Sequence, residues 1–263
     1  MDHGFITEIK KFVEKNDSWK ENIKNLKKNI EGRKDKIYSL SEHMEAIIYS
    51  LLSNQRPWRP IEENRNKIDK IFFNYDVEKI KNENPALFVK LLKEIKCANR
   101  SINRQMNGLK DIICVLKNIK KEYGEIDNYY NNHPKVKEGY PYYLAKELAD
   151  RNNKYKLKNM GIALVCEYFK NIGIDTAKPD THIRRMLGKN ILGFSKKESA
   201  TPEETITYIK EIAEKNNFYQ MEVDALLWFY CADGYGQICT KDEPRCSECV
   251  IKKYCNKFKT NSN

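Results

Sequence analysis

A chain of 263 residues, 40% of them hydrophobic, suffices for one large domain or two small ones with a substantial core. Lys+Arg number 48 against 37 Asp+Glu, a formal net charge of +11, which fits a polyanionic partner, most often nucleic acid, and equally a solvated lysine-rich surface. No stretch of about 18 apolar residues occurs, which excludes a membrane-spanning helix. The first residues, MDHGFITEIKKFVEKN, lack an apolar signal core, so an intracellular, cytoplasmic setting is expected. In such a reducing compartment the eight cysteines are not read as four disulfides.

Residues 1 to about 40 read as lysine-rich helix with Ile6, Ile9, Phe12 and Val13 on one face; Lys20 to Lys36 is either helix or connector. Ser39 and Glu42 form a capping box. Met44, Ile47, Ile48, Leu51 and Leu52 then recur at helical spacing, which predicts a buried helix. Pro57 and Pro60 end it and leave Gln55, Arg56 and Trp58 on a loop. A polar side chain beside a cation and a large aromatic suits filling a gap in a base stack, and it also describes an ordinary helix end.

From 61 to about 122 the pattern is helical throughout, around Ile68 to Phe72, Leu87 to Ile95 and Leu109 to Ile119. Residues 125 to 155, rich in tyrosine, proline and lysine, read as a packed irregular insertion, with a pocket-lining loop as the alternative. The run Leu157-Lys158-Asn159-Met160-Gly161-Ile162-Ala163 is a turn ahead of an apolar helix, whose free N–H groups suit a phosphate. Asn159 tolerates the positive φ that such a turn demands. After Gly173 comes KPDTHIRR, in which Asp180 stands at the start of a helix as an N-cap. Lys178, His182, Arg184 and Arg185 make its surroundings cationic. Thr201 and Glu204 form another capping box, with Pro202 at the first helical position. A last apolar helix covers Val223 to Cys231.

Four more cysteines close the chain: Cys239, Cys246, Cys249 and Cys255, separated by six, two and five residues. Thiolate is the ligand form of cysteine, and four thiolates this close can surround one metal centre. A four-cysteine zinc site usually carries two short C-x-x-C knuckles; only one is present. Cys97, Cys114 and Cys166, in apolar helical stretches, are expected to be buried thiols, and Cys231 a bystander.

The helix ending in LLSNQ, the LKNMGIA turn, KPDTHIRR and the cysteine loop follow one another in this order. Together they resemble the iron–sulfur, endonuclease III-like branch of the helix–hairpin–helix Gly/Pro-Asp DNA glycosylases, over residues 42 to 255. The resemblance implies an all-α fold of two lobes. One is a helix–hairpin–helix lobe over 42–176; the other joins 1–41 to 177–263 and carries the cluster loop. It implies a 4Fe-4S cluster held by Cys239, Cys246, Cys249 and Cys255, and monomeric action on double-stranded DNA containing a damaged or mismatched base. Asp180 takes the essential carboxylate's place and Gln55 that of the stack-filling residue, with Arg56 or Trp58 beside it. Backbone phosphates are expected on Asn159, Gly161 and Ala163 of the hairpin, beside His182, and on Lys241 and Arg245 of the cluster loop.

The sequence departs from that family in two ways. The family hairpin reads L-P-G-V-G-x-K; here Asn159 replaces the first glycine and Ala163 the lysine that bifunctional members use as an amine nucleophile. Alanine cannot form a Schiff base, so a monofunctional glycosylase is expected, with Lys158 and Lys178 as outside candidates for a lyase. Ser50 stands where adenine-removing relatives carry a glutamate. A bifunctional glycosylase/lyase and a non-catalytic DNA-binding module, the latter with zinc in the cysteine loop, are the alternatives.

Overall fold

The protein, as a computed structural model, is described over residues 4–33 and 36–259. It is all-α, with no strand among the described residues. The chain divides into two compact units: a split unit of Met1–Glu31 with Asp175–Asn263, and a continuous unit of Gly32–Ile174.

Helices α1 (Phe5–Val13) and α2 (Asp17–Arg33) open the chain. On α1, Phe5, Ile6, Ile9 and Val13 are fully buried, on the face that the periodicity marks. The segment left open as helix or connector is helix as far as Arg33.

The continuous unit runs through α3 (Leu40–Leu52), α4 (Arg59–Glu63), α5 (Arg65–Ile71), α6 (Val77–Asn82), α7 (Pro85–Glu94), α8 (Ile102–Asn107), α9 (Leu109–Tyr123), α10 (Ile126–Asn132), α11 (Pro134–Lys137), α12 (Pro141–Ala149) and α13 (Ile162–Asn171). Helix α3 starts at the expected capping box, with both the Ser39 and the Glu42 hydrogen bonds formed. It packs on α13, and α13 on α12. Arg33 belongs here because its guanidinium reaches the Ile172 carbonyl at 2.7 Å and Asp127 at 2.6 Å.

The tyrosine-rich stretch is not irregular. It forms α10, α11 and α12, and proline occupies the first turn of both α11 and α12, where its missing N–H costs nothing. Tyr130, Tyr142 and Tyr155 are buried, and Tyr123, Tyr129 and Tyr155 meet with ring centroids 4.8 to 6.2 Å apart. The cysteine expectations divide. Cys97 and Cys166 are buried, but Cys114 is exposed, because α9 turns Ile112, Ile113, Leu116 and Ile119 inward and so carries position 114 to the opposite face.

The split unit resumes with α14 (Thr181–Met186), α15 (Pro202–Asn216), α16 (Gln220–Cys231) and α17 (Asn256–Lys259). Helix α15 begins at the expected Thr201–Glu204 capping box. Helix α16 is buried almost all round and packs against α1, α14 and α15. Its N-terminus is capped from a distance: Asp175 accepts from the Gln220 and Met221 N–H groups at 3.1 and 2.9 Å. Buried Glu222 is balanced by Lys27 at 2.9 Å and Lys10 at 3.6 Å, as a carboxylate withdrawn from water requires.

Candidate catalytic and nucleic-acid site

In the continuous unit, the chain leaves α3 through a loop whose exposed Gln55 holds φ 49°, a conformation that non-glycine residues adopt sparingly. Arg56 does not reach outward. Its guanidinium donates to the carbonyls of Ala98 at 3.0 Å and Lys96 at 2.7 Å. Trp58 sets its ring edge-on to Tyr49, centroids 6.3 Å apart, with the Arg65 guanidinium 5.8 Å from the indole centroid. Of the three candidates on this loop, Arg56 and Trp58 hold its shape and Gln55 is the one left standing clear.

The hairpin follows the sequence closely. Asn159 takes φ 61°, and buried Leu157 and Met160 anchor the turn on either side. Gly161 is the N-cap of α13, with extended backbone and no side-chain cap. Among the described residues the N–H groups of Gly161, Ile162 and Ala163 have no acceptor. A Cβ placed on Gly161 would meet nothing within 4 Å, so the approach is open. Three converging N–H donors at the positive end of a helix suit an anion. Ala163 contributes its N–H and no amine. Lys156 Nζ donates to the Met160 carbonyl at 2.6 Å; burial, against Asp150 and helped by Lys158, pushes its pKa below the ordinary lysine value.

In the split unit Asp180 is the N-cap of α14, accepting from the Ile183 N–H at 3.0 Å through Oδ1. It is half-exposed, and no hydrogen bond among the described residues engages its Oδ2. The approach to it is pinned where the Lys178 N–H donates to buried Asp224 at 2.9 Å. His182 is half-exposed. The neighbouring arginines, read as a cationic edge, are structural. Arg184 Nε donates to the Ala200 carbonyl at 2.7 Å. Arg185 donates to the Thr240 carbonyl at 2.9 Å, to Cys239 Sγ at 3.5 Å and to the Cys239 carbonyl. It thereby fastens the helix that Asp180 caps to the start of the cysteine loop. Arg185→Met is expected to cost about 2 kcal/mol, the usual worth of hydrogen bonds from a charged donor. The check is a lower urea midpoint with an unchanged helical circular dichroism spectrum before the transition.

In the cysteine loop, Cys239, Cys246 and Cys249 are half-exposed and Cys255 is buried. Tyr230 Oη donates to Cys249 Sγ at 3.2 Å and accepts from the Val250 N–H at 3.1 Å. Cys231 Sγ donates to Met186 Sδ at 3.0 Å. The nearby Cys231 thiol outweighs burial and, together with Arg185, brings the Cys239 thiol below its ordinary pKa. Burial pushes the Cys255 thiol up, and the four soft sulfur donors fit an iron–sulfur cluster in their chemistry. Among the described residues no three His, Cys, Asp or Glu side chains stand together as the ligands of a single metal ion would. Lys241 is exposed. Arg245 turns back on its own loop, to the carbonyls of Gly236 and, at 3.2 Å, Gln237, with Glu248 at 3.3 Å. Sequence reasoning missed these arginine clamps; no periodicity announces a side chain whose partner is a distant carbonyl.

No protein-family model matches the sequence, and no curated protein matches it. Among solved structures, the chain is similar to the 8-oxoguanine glycosylase/lyase of Methanocaldococcus jannaschii, in complex with 15mer DNA containing 8-oxoguanine. The identity is 17% and the TM-score 0.56, over 87% of this chain and 97% of that one. At this identity the likeness is one of fold: the all-α arrangement is shared with a DNA glycosylase.

Proposed function

We propose that this chain is a DNA glycosylase of base excision repair, which hydrolyses the N-glycosidic bond of a damaged or mismatched base in double-stranded DNA. The observation that carries the reading is Asp180, a half-exposed carboxylate at a helix start, in a chain whose fold resembles that of a DNA-bound glycosylase. The three free N–H groups at the start of α13 hold a backbone phosphate, and Gln55 takes the place vacated by the flipped base. As the base departs with the bonding electron pair, the sugar becomes cationic at C1′. The Asp180 carboxylate stabilises that charge and takes a proton from the attacking water, whose oxygen completes C1′. Cys239, Cys246, Cys249 and Cys255 are the residues that would hold a 4Fe-4S cluster, which would cross-link the loop. The spacing of the four cysteines, with one C-x-x-C knuckle where a four-cysteine zinc site usually has two, supports it. Among the described residues no helix is long and apolar enough to cross a membrane, and the net charge of +11 favours a polyanionic partner such as DNA; action as an intracellular monomer is part of the same proposal.

Ala163 supports a monofunctional enzyme. A lyase has one observation in its favour, the partly buried Lys156 with its lowered pKa, since a neutral amine is the nucleophilic form. End-labelled duplexes carrying uracil, a G·T mismatch, alkylated purines and oxidised bases distinguish the two. Strand cleavage only after hot alkali, with no borohydride-trapped adduct, is the expected result. Cleavage without alkali and an adduct lost in Lys156→Ala establish the lyase. No cleavage of any duplex, with binding intact, favours a binding module.

A further inference from the structure

The hairpin turn is held by the side chain of Asn159. Asn159 Nδ2 donates to the Arg104 carbonyl, on α8, at 2.5 Å. Beside it lies buried Gly108, at the junction of α8 and α9. Gly108 has φ −85° and ψ −8°, which any residue adopts, so glycine is not required there for conformation. It is required for approach: a Cβ on Gly108 would stand 2.5 Å from Asn159 Nδ2, 3.2 Å from Lys158 Cγ and 3.4 Å from the Gln105 carbonyl. The first of these is far inside van der Waals contact, and the Asn159 side chain is too short to move aside and keep its bond.

The same short helix is tied to the other DNA-reading element. Gln105, 1% exposed, accepts through Oε1 from Asn99 Nδ2 at 3.0 Å, and Asn99 Nδ2 donates to the Leu51 carbonyl at 2.9 Å. Leu51 lies in the last turn of α3, just before Gln55. The segment preceding α8 supplies the Lys96 and Ala98 carbonyls that hold Arg56. Thus α8 is joined at one side to the base of the Gln55 loop and at the other to the tip of the hairpin.

We infer that α8 is a brace that fixes the hairpin relative to the Gln55 loop, and that Asn159 and Gly108 form its lock. Asn159 is a positioning residue. Its side-chain bond rigidifies the left-handed turn and so preorganises the Gly161, Ile162 and Ala163 N–H groups for a DNA phosphate. A glycine at 159 would keep the φ, lose the bond and restore chain freedom. The inference rests on the glycosylase reading for its ligand, the phosphate backbone of duplex DNA, but the lock itself does not.

The test compares wild type, Asn159→Gly, Gly108→Ala and the double variant, by melting temperature and by binding to a short undamaged duplex over a salt series. Asn159→Gly is expected to bind about fivefold more weakly, the worth of one ordinary hydrogen bond. Its slope of log affinity against log salt should stay near that of wild type, because neutral N–H groups rather than cations hold this phosphate. Gly108→Ala should weaken binding at least as much, and the double variant should be no worse than Gly108→Ala alone, in melting and in binding, because the clash and the lost bond are one event. Should Gly108→Ala fail to fold, recovery of folding in the double variant demonstrates the lock directly. Additive losses in the double variant overturn the lock. Wild-type affinity in Asn159→Gly overturns the positioning role while leaving the glycosylase reading intact. Failure of wild type itself to bind the duplex overturns the glycosylase reading, and the melting data then judge the lock alone.

Discussion

Asp180→Asn is expected to lower base excision by about 10²- to 10⁴-fold and to leave the melting temperature close to that of wild type. The two halves of that expectation separate the residue's two jobs. As N-cap, Asp180 accepts one hydrogen bond from the Ile183 N–H, and asparagine caps a helix about as well as aspartate. Its carbonyl oxygen replaces Oδ1, and α14 stays in place with Arg185 still fastened to Cys239 and Thr240. As catalyst, the residue must carry a negative charge opposite a developing cation, and it must accept a proton from water. A neutral amide does neither. The measurement is single-turnover excision on whichever duplex of the lesion panel the wild type processes, beside a thermal melt. Asp180→Asn with near-wild-type excision would reduce Asp180 to a cap. A large fall in both rate and melting temperature would mean that α14 had been lost, and Asp180→Ser, which keeps a capping oxygen, would then separate the two.

The elements that were legible in the sequence are those governed by local rules. Ser39 with Glu42 and Thr201 with Glu204 announced two helix starts that both form as capping boxes. Asp180 announced another. Asn159 was read as the residue able to hold a positive φ, and it does, at 61°. Its side-chain bond to Arg104 was not legible, because the two residues lie far apart in the chain and neither belongs to a periodic pattern. The same reason hid the roles of Arg56, Arg185 and Arg245. Each is an exposed-looking cation in sequence and a clamp on backbone carbonyls in the fold. The stretch from 125 to 155 failed for a different reason. Its richness in proline and tyrosine suggests irregular chain, whereas Pro134 and Pro141 both stand in a first helical turn, and the tyrosines between and after them supply packing that the short helices lack on their own. Apolar neighbours suggest that Cys114 is inside, but two positions from buried Ile112 and Leu116 it stands on the opposite side of the helix.

Asp127→Asn is expected to destabilise the continuous unit by about 3–5 kcal/mol, since it leaves a buried guanidinium without its counter-charge. Asp127 and Arg33 are only 1% and 8% exposed. The carboxylate takes Arg33 Nη2 at 2.6 Å and the Tyr38 N–H at 2.6 Å, and His43 Nε2 stands 3.7 Å away, beyond hydrogen-bond reach but close enough to attract. His43 Nδ1 in turn lies 2.6 Å from Tyr168 Oη, which donates to Tyr130 Oη at 3.2 Å. The network therefore ties Arg33 and Tyr38, at the entry to the unit, to α3, α10 and α13. Burial alone would raise the pKa of Asp127; the His43 ring, the Arg33 guanidinium and the Tyr38 N–H outweigh it and hold the carboxyl below its ordinary value. A depressed folded-state pKa means stability that is present above the ordinary carboxylate range and lost as the pH falls through the folded value. The gap in stability between wild type and Asp127→Asn should thus be full near neutral pH and close progressively below about pH 4. Urea denaturation at a series of pH values measures it. Arg33→Met added to Asp127→Asn should recover part of the loss, because the orphaned charge goes with it. A gap that stays constant into acid, or a double variant as unstable as the sum of the singles, would show that the ion pair is not what holds α3 and α10 together.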